Sequence, residues 1–93
     1  MGISEIDKLD EYLKEHSYNY DHIIDSPQAL KTNQIIVYDD NGDRAWDAVC
    51  NIGSYGFAQG LLEVMGKAVV RVDDEVEGWL TADEIIERLE EMQ

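Results

Sequence analysis

Each end of the chain carries an apolar stripe with helical spacing, and neither stripe can be hidden by the segment that bears it. Near the N-terminus Ile6, Leu9, Tyr12 and Leu13 recur on one face behind Ser4 and Asp7, a capping-box arrangement with Asp in place of the usual Glu or Gln. A helix is expected over residues 3–15. Near the C-terminus Thr81 and Glu84 form a complete capping box ahead of Ile85, Ile86 and Leu89, with Leu80 or Trp79 placed as a hydrophobic staple. Glu84 and Arg88 have the spacing of a favourable i,i+4 pair. Two helices so far apart in the chain need a common surface, and the middle of the sequence supplies one.

Tyr18, Tyr20, His22 and Ile24 alternate with Asn19, Asp21 and Ile23, the period of a strand with one buried face. Asp25-Ser26-Pro27 stops it, and Ser26 ahead of Pro27 also suits the cap of a single helical turn through Leu30. Residues 34–38 and 44–50 read as an antiparallel pair joined by Asp39-Asp40-Asn41-Gly42-Asp43, where Asn41-Gly42 is the strongest turn signal in the chain and the loop length is left open. Residues 61–65 read as a strand rather than the end of a helix starting near Ser54, because Gly56 and Gly60 would weaken a helix interior; Gly66 ends it. Residues 68–72 offer an edge strand or a loop packed over the core, and residues 73–78 an acidic turn leading into Trp79 and Leu80. The expected fold is α+β: one compact domain over residues 1–93, built as a two-layer sandwich of a small antiparallel sheet of three or four strands with helices near both termini.

The surface of such a domain is dominated by acid. Among 93 residues, 21 are Asp or Glu and 7 are Lys or Arg, a formal charge of −14, while a hydrophobic content of 44% argues against a wholly disordered acidic tail. A chain this short buries roughly 60–65% of its surface, so self-repulsion leaves modest stability, and a homodimer would add burial. The charge disfavours direct binding to nucleic acid or to an anionic membrane and favours a partner protein with a basic surface. Cys50 is the single cysteine, excluding an intramolecular disulfide, and there is no N-terminal apolar run or 18-residue apolar span, so a cytoplasmic location is expected.

Catalytic and metal-binding signals are weak. Asp39, Asn41 and Asp43 fit the first three side-chain positions of a calcium loop, but its glycine would fall at Arg44 and its bidentate glutamate at Cys50, so a solvated hairpin turn is expected and no metal site. Cys50 would need His16 or His22 beside it to act as a nucleophile; its strand parity with Trp46 and Ala48 reads instead as a buried structural thiol. One cysteine and two histidines make a poor zinc set. Residues 53–60 lack the basic anchor of a phosphate-binding loop, so no nucleotide or other cofactor is expected, and Tyr55 and Phe57 serve either as core plugs or as exposed interface anchors.

The acids form two fields. Glu5, Asp7, Asp10, Glu11 and Glu15 surround the first helix, and Asp73, Asp74, Glu75, Glu77, Asp83, Glu84, Glu87, Glu90 and Glu91 surround the last, opposed there only by Arg88. The second field either maintains solubility or presents closely spaced negative charge, in the manner of a nucleic-acid backbone, to a basic groove. Trp79 joins Tyr55 and Phe57 as a possible aromatic interface residue.

Asp47-Ala48-Val49-Cys50, Gly53-Ser54-Tyr55-Gly56, Gly60-Leu61-Leu62-Glu63 with Met65-Gly66, and Gly78-Trp79-Leu80-Thr81-Ala82-Asp83-Glu84 together resemble a family of small acidic proteins of bacterial phages and mobile elements, particularly in Gram-positive hosts, over residues 35–92. The resemblance implies expression inside a bacterium and phage–host interaction, and it brings no catalytic assignment. The leading expectation is an acidic protein-binding protein, a phage-derived inhibitor or nucleic-acid mimic occupying the basic groove of a host protein such as a defence nuclease. A structural or assembly protein binding through Tyr55, Phe57 or Trp79 is the second reading, and a small Cys50-dependent enzyme the third.

Overall fold

The computed structural model describes residues 4–25, 32–50 and 59–92. In chain order the elements are α1 (Glu5–Glu15), β1 (Tyr20–Asp25), β2 (Thr32–Tyr38), β3 (Arg44–Val49), β4 (Leu62–Met65), β5 (Val76–Leu80) and α2 (Ala82–Glu91). The strands form one open antiparallel sheet in the order β1-β2-β3-β4-β5, and each pairs with its neighbour in sequence. The chain is therefore α+β as expected, with five strands among the described residues in place of the three or four anticipated.

Local chemistry explains the boundaries. The Ser4 hydroxyl accepts from the Asp7 amide at 3.3 Å and donates to the Asp7 carboxylate at 2.7 Å, opening α1. The helix closes through Ser17, whose left-handed φ of 59° lets the Ser17 amide reach Lys14 O and the Tyr18 amide reach Leu13 O, the paired bonds of a Schellman ending. Thr81 and Glu84 exchange both capping-box bonds at the start of α2. Between β2 and β3 the Gly42 amide donates to Asp39 O while the Asp39 carboxylate accepts from Asn41 and Asp43 amides. Gly42 alone of the Asn41-Gly42 pair has positive φ, at 83°, so the turn is not the two-residue type in which both central residues do. An extra residue, Ala45, is accommodated on β3 as the register passes from Val37↔Trp46 to Tyr38↔Arg44.

The core lies between one face of the sheet and the two helices. Ile6, Leu9 and Leu13 from α1 and Ala82, Ile85 and Leu89 from α2 meet Ile35, Val37, Trp46, Ala48, Leu62, Val64 and Leu80 from the sheet. Leu80, not Trp79, is the buried residue ahead of the Thr81 cap, in the staple position opposite Ile85. Tyr20 and His22 share this face, as their alternation predicted, whereas Ile24 near the end of edge strand β1 is 66% exposed.

Two neighbouring segments settle together, one into an expected alternative and one against expectation. Of the two readings of residues 68–72, the loop packed over the core holds and the edge strand does not: Val69 and Val70 amides turn back onto Gly66 O, and Val69 is buried as a plug of the core. The edge strand is β5 instead, which includes residues expected to form an acidic turn. Its alternation is concealed because Gly78 and Trp79 both stand opposite Glu63, between Val64↔Glu77 and Leu62↔Leu80. The bulge shifts the parity, and Glu77 occupies a position where an apolar residue would have advertised a strand.

Gly66 closes β4 with φ 122°, and a Cβ there would lie 2.6 Å from Trp46 Cβ and 2.9 Å from Ala45 O. Backbone has to yield for any side chain to enter. At Gly42 a Cβ would meet nothing within 4 Å, leaving only the conformational penalty. Gly42→Ala is expected to cost about 1 kcal/mol and Gly66→Ala roughly 3 kcal/mol or more, read as shifts in the urea midpoint at unchanged slope. Equal losses at the two positions would contradict the close approach at Gly66.

Candidate functional site

The helix-borne acids of the two fields, separated by most of the chain, are brought onto adjacent helices. The Ala82 amide at the first turn of α2 lacks a partner within its own helix, and Glu5 of α1 accepts from it at 2.8 Å. This bond joins the N-terminal ends of the two helices, whose apolar stripes share the core below. Their outward residues are Asp7, Glu11 and Glu15 on α1 and Asp83, Glu84, Glu87, Glu90 and Glu91 on α2, all exposed. Among the described residues no Lys, Arg or His lies within ion-pair distance of these eight; the pairs that do form are Lys8–Glu5 at 3.4 Å, His22–Asp10 at 3.2 Å and Arg88–Glu77 at 2.8 Å.

Arg88 explains the missing compensation on α2. The expected i,i+4 bond to Glu84 does not form, since Glu84 closes the capping box and Arg88 turns inward. Its Nη1 donates to Val69 O at 2.7 Å and to Glu77 Oε1 at 2.8 Å, and its Nη2 donates to Glu77 Oε2 at 2.9 Å. A bidentate guanidinium–carboxylate pair with both side chains mostly buried is geometrically exacting. The Arg88 hydrogen bonds hold the Glu77 carboxyl below its ordinary range, against the opposing effect of burial, and the Arg71 amide adds a bond at 2.8 Å. Glu77 thus belongs to the interior tie and not to the outward acidic face. Arg71 and part of Arg88 border the depression beside Glu84, Glu87 and Glu91, with the Arg71 guanidinium donating to Ala68 O and Val70 O.

The remaining expected residues separate. Asp73, Asp74 and Glu75 are exposed on the β4–β5 connection, where the Asp74 carboxylate accepts from the Glu75 amide at 2.7 Å. Trp79 is 56% exposed and has a left-handed φ of 57° at the β5 bulge, a conformation costly for a bulky side chain. Tyr55 and Phe57 lie outside the described residues, as does the Ser26-Pro27 segment.

Cys50 is half-buried against the core, in keeping with its parity, and burial pushes its thiol pKa up. Its amide donates to Asn33 O at 2.9 Å, and Asn33 Oδ1 in turn lies 2.7 Å from His22 Nε2. The other His22 ring nitrogen is 3.2 Å from Asp10 Oδ1, so both nitrogens are engaged elsewhere. His16 lies at the end of α1, with Nδ1 against Tyr12 O and its ring stacked on Tyr12 at 4.0 Å. Neither histidine has a nitrogen committed to the thiol, and a protonated thiol is a poor nucleophile. Asp39 acts as a turn cap and Asp47 accepts from Gln34 at 2.8 Å; among the described residues no group of three or more His, Cys, Asp or Glu is arranged to hold a metal ion.

Sequence reasoning missed the Glu5–Ala82 and Glu77–Arg88 contacts and an open groove lined in part by Met65, Val70 and Val72. Only Met65 had a readable signal: Leu62 and Val64 point into the core, so strand alternation turns Met65 outward.

The Glu77 pair has a defined pH signature. A carboxyl whose folded pKa is depressed adds stability above its unfolded value and loses that contribution as pH falls through the folded value. Glu77→Gln is expected to lower stability by about 1–3 kcal/mol at pH 7, with the gap from the parent protein narrowing at acid pH. Denaturant titrations of both proteins across the acid range check this; a gap unchanged by pH would contradict it.

Among the described residues no helix is long and apolar enough to cross a membrane. No protein-family model, curated protein or solved structure matches the chain.

Proposed function

We propose that the protein is a small acidic protein-binding module that covers a basic surface on a partner, of the kind that otherwise holds nucleic acid. The observation supporting this reading is the joined helical layer, where acids from both ends of the chain flank one another and Arg88 is withdrawn beneath them. Successive turns of α2 carry carboxylates at a pitch of about 5.4 Å, a regular row of negative charge sparser than the roughly 3.4 Å per charge along a nucleic-acid strand. Their positions do not favour the helix itself. Asp83–Glu87 and Glu87–Glu91 are like-charge i,i+4 pairs, and Glu90 and Glu91 stand at the negative end of the helix dipole. Asp83 and Glu84, at the other end, are favourable there. Acids kept where they oppose helix stability are consistent with selection for an outward field.

On this reading, with the phage and mobile-element resemblance beside it, the protein works in the bacterial cytoplasm as an inhibitor of a host nucleic-acid-binding protein, without catalysis. The exposed, left-handed Trp79 favours a second reading, an assembly protein that packs through an aromatic contact.

Affinity capture from a Gram-positive host lysate at low and high salt, followed by elution with polynucleotide, tests the proposal. A nucleic-acid-binding protein is expected to be recovered at low salt, released by polynucleotide, and lost when Glu87, Glu90 and Glu91 are replaced by Lys. Binding insensitive to salt, polynucleotide and this charge reversal would count against it and favour the aromatic contact.

A further inference from the structure

The connection between β4 and β5 leaves an open groove of about 400 Å³, lined by apolar Met65, Val70 and Val72 and by charged Lys67, Asp74 and Glu75. Met65 is 50% and Val72 49% exposed, although Val69 in the same connection is fully buried. The backbone around the groove is held in place. Val69 and Val70 amides donate to Gly66 O at 3.1 Å, Arg88 holds Val69 O, and the Arg71 amide is bonded to Glu77. The 66–71 side of the groove is thus formed before anything binds, which reduces the ordering cost of binding.

Its chemistry selects an occupant. An apolar lining with Met65 as an adaptable element accepts an aliphatic or aromatic side chain. Asp74 and Glu75 outnumber Lys67, and the whole chain carries −14, so an anionic ligand is repelled and a second copy would bring −14 against −14. We propose that this groove docks a short segment of a partner protein in which an apolar side chain is flanked by Lys or Arg. The basic character of the partner rests on the function proposed above; the groove adds a site for short-range anchoring apart from the helical layer. The two surfaces divide the work of association: spread charge speeds encounter and makes it salt-sensitive, and a desolvated apolar anchor slows departure.

The test titrates the ¹⁵N-labelled full chain with capped peptides Gly-Lys-Leu-Lys-Gly and Gly-Lys-Ser-Lys-Gly, which differ in apolar content and not in charge. The Leu peptide is expected to shift the amides of residues 65–75 and to bind about fivefold or more tightly than the Ser peptide. Lys67→Glu, at an exposed position, should tighten binding severalfold and Glu75→Lys should weaken it, whereas Glu87→Lys and Glu91→Lys leave the groove shifts in place. Equal affinity for the two peptides, or shifts confined to α2, would overturn the groove and leave the acidic-layer reading standing. Absence of any shift with the Leu peptide would also overturn it, and the capture experiment would then decide the broader reading on its own.

Discussion

A single guanidinium turned inward organises the C-terminal half of the molecule. By reaching both oxygens of Glu77 and the Val69 carbonyl, Arg88 ties α2 to β5 and to the connection between β4 and β5. Charged pairs removed from water recover their desolvation cost only when the geometry is good, and this one is bidentate with a carbonyl as third acceptor. It acts at least as much to select one arrangement as to add net stability. An inward glutamate on β5 would be intolerable alone, and an arginine on α2 free to swing out would neutralise the face that the other α2 acids present.

The same contact has consequences on two surfaces. Above it, α2 retains Asp83, Glu84, Glu87, Glu90 and Glu91 without an ion-pair partner among the described residues, beside the acids of α1. Beside it, the fixed Val69 backbone and the buried Val69 side chain leave Val70 and Val72 to line the groove with Met65. The Glu5 bond to the Ala82 amide is the counterpart at the other end of α2, using an acid of one helix to satisfy a donor of the other. Acid in this protein is therefore put to different uses: capping, pairing inside, and exposure.

Most of the fold was legible where local chemistry decides it. The Thr81–Glu84 box, the Ser4 cap, the hairpin around Gly42 and the inward parity of Trp46, Ala48 and Cys50 each follow from a few neighbouring residues. What escaped depends on contacts between distant segments. β5 reads as a turn because its bulge at Gly78 and Trp79 breaks the period of two and because Glu77 faces an arginine eleven positions away. The valines of residues 68–72 suit either a strand or a loop over the core, and only the burial of Val69 in the core decides for the loop. The acidic fields were visible as composition; that they adjoin was not, since it follows from the packing of both helices on one face of the sheet.

The central claim is that the helical layer concentrates negative charge with no ion-pair partner among the described residues, and the salt dependence of stability tests it most directly. Screening shortens from about 30 Å at 0.01 M to about 3 Å at 1 M salt, so repulsion within the layer should weaken and the thermal midpoint should rise with added NaCl. In a variant carrying Glu87→Gln, Glu90→Gln and Glu91→Gln that rise should flatten, from a midpoint already higher at low salt. A midpoint that falls with salt, or a rise identical in the variant, would contradict the account.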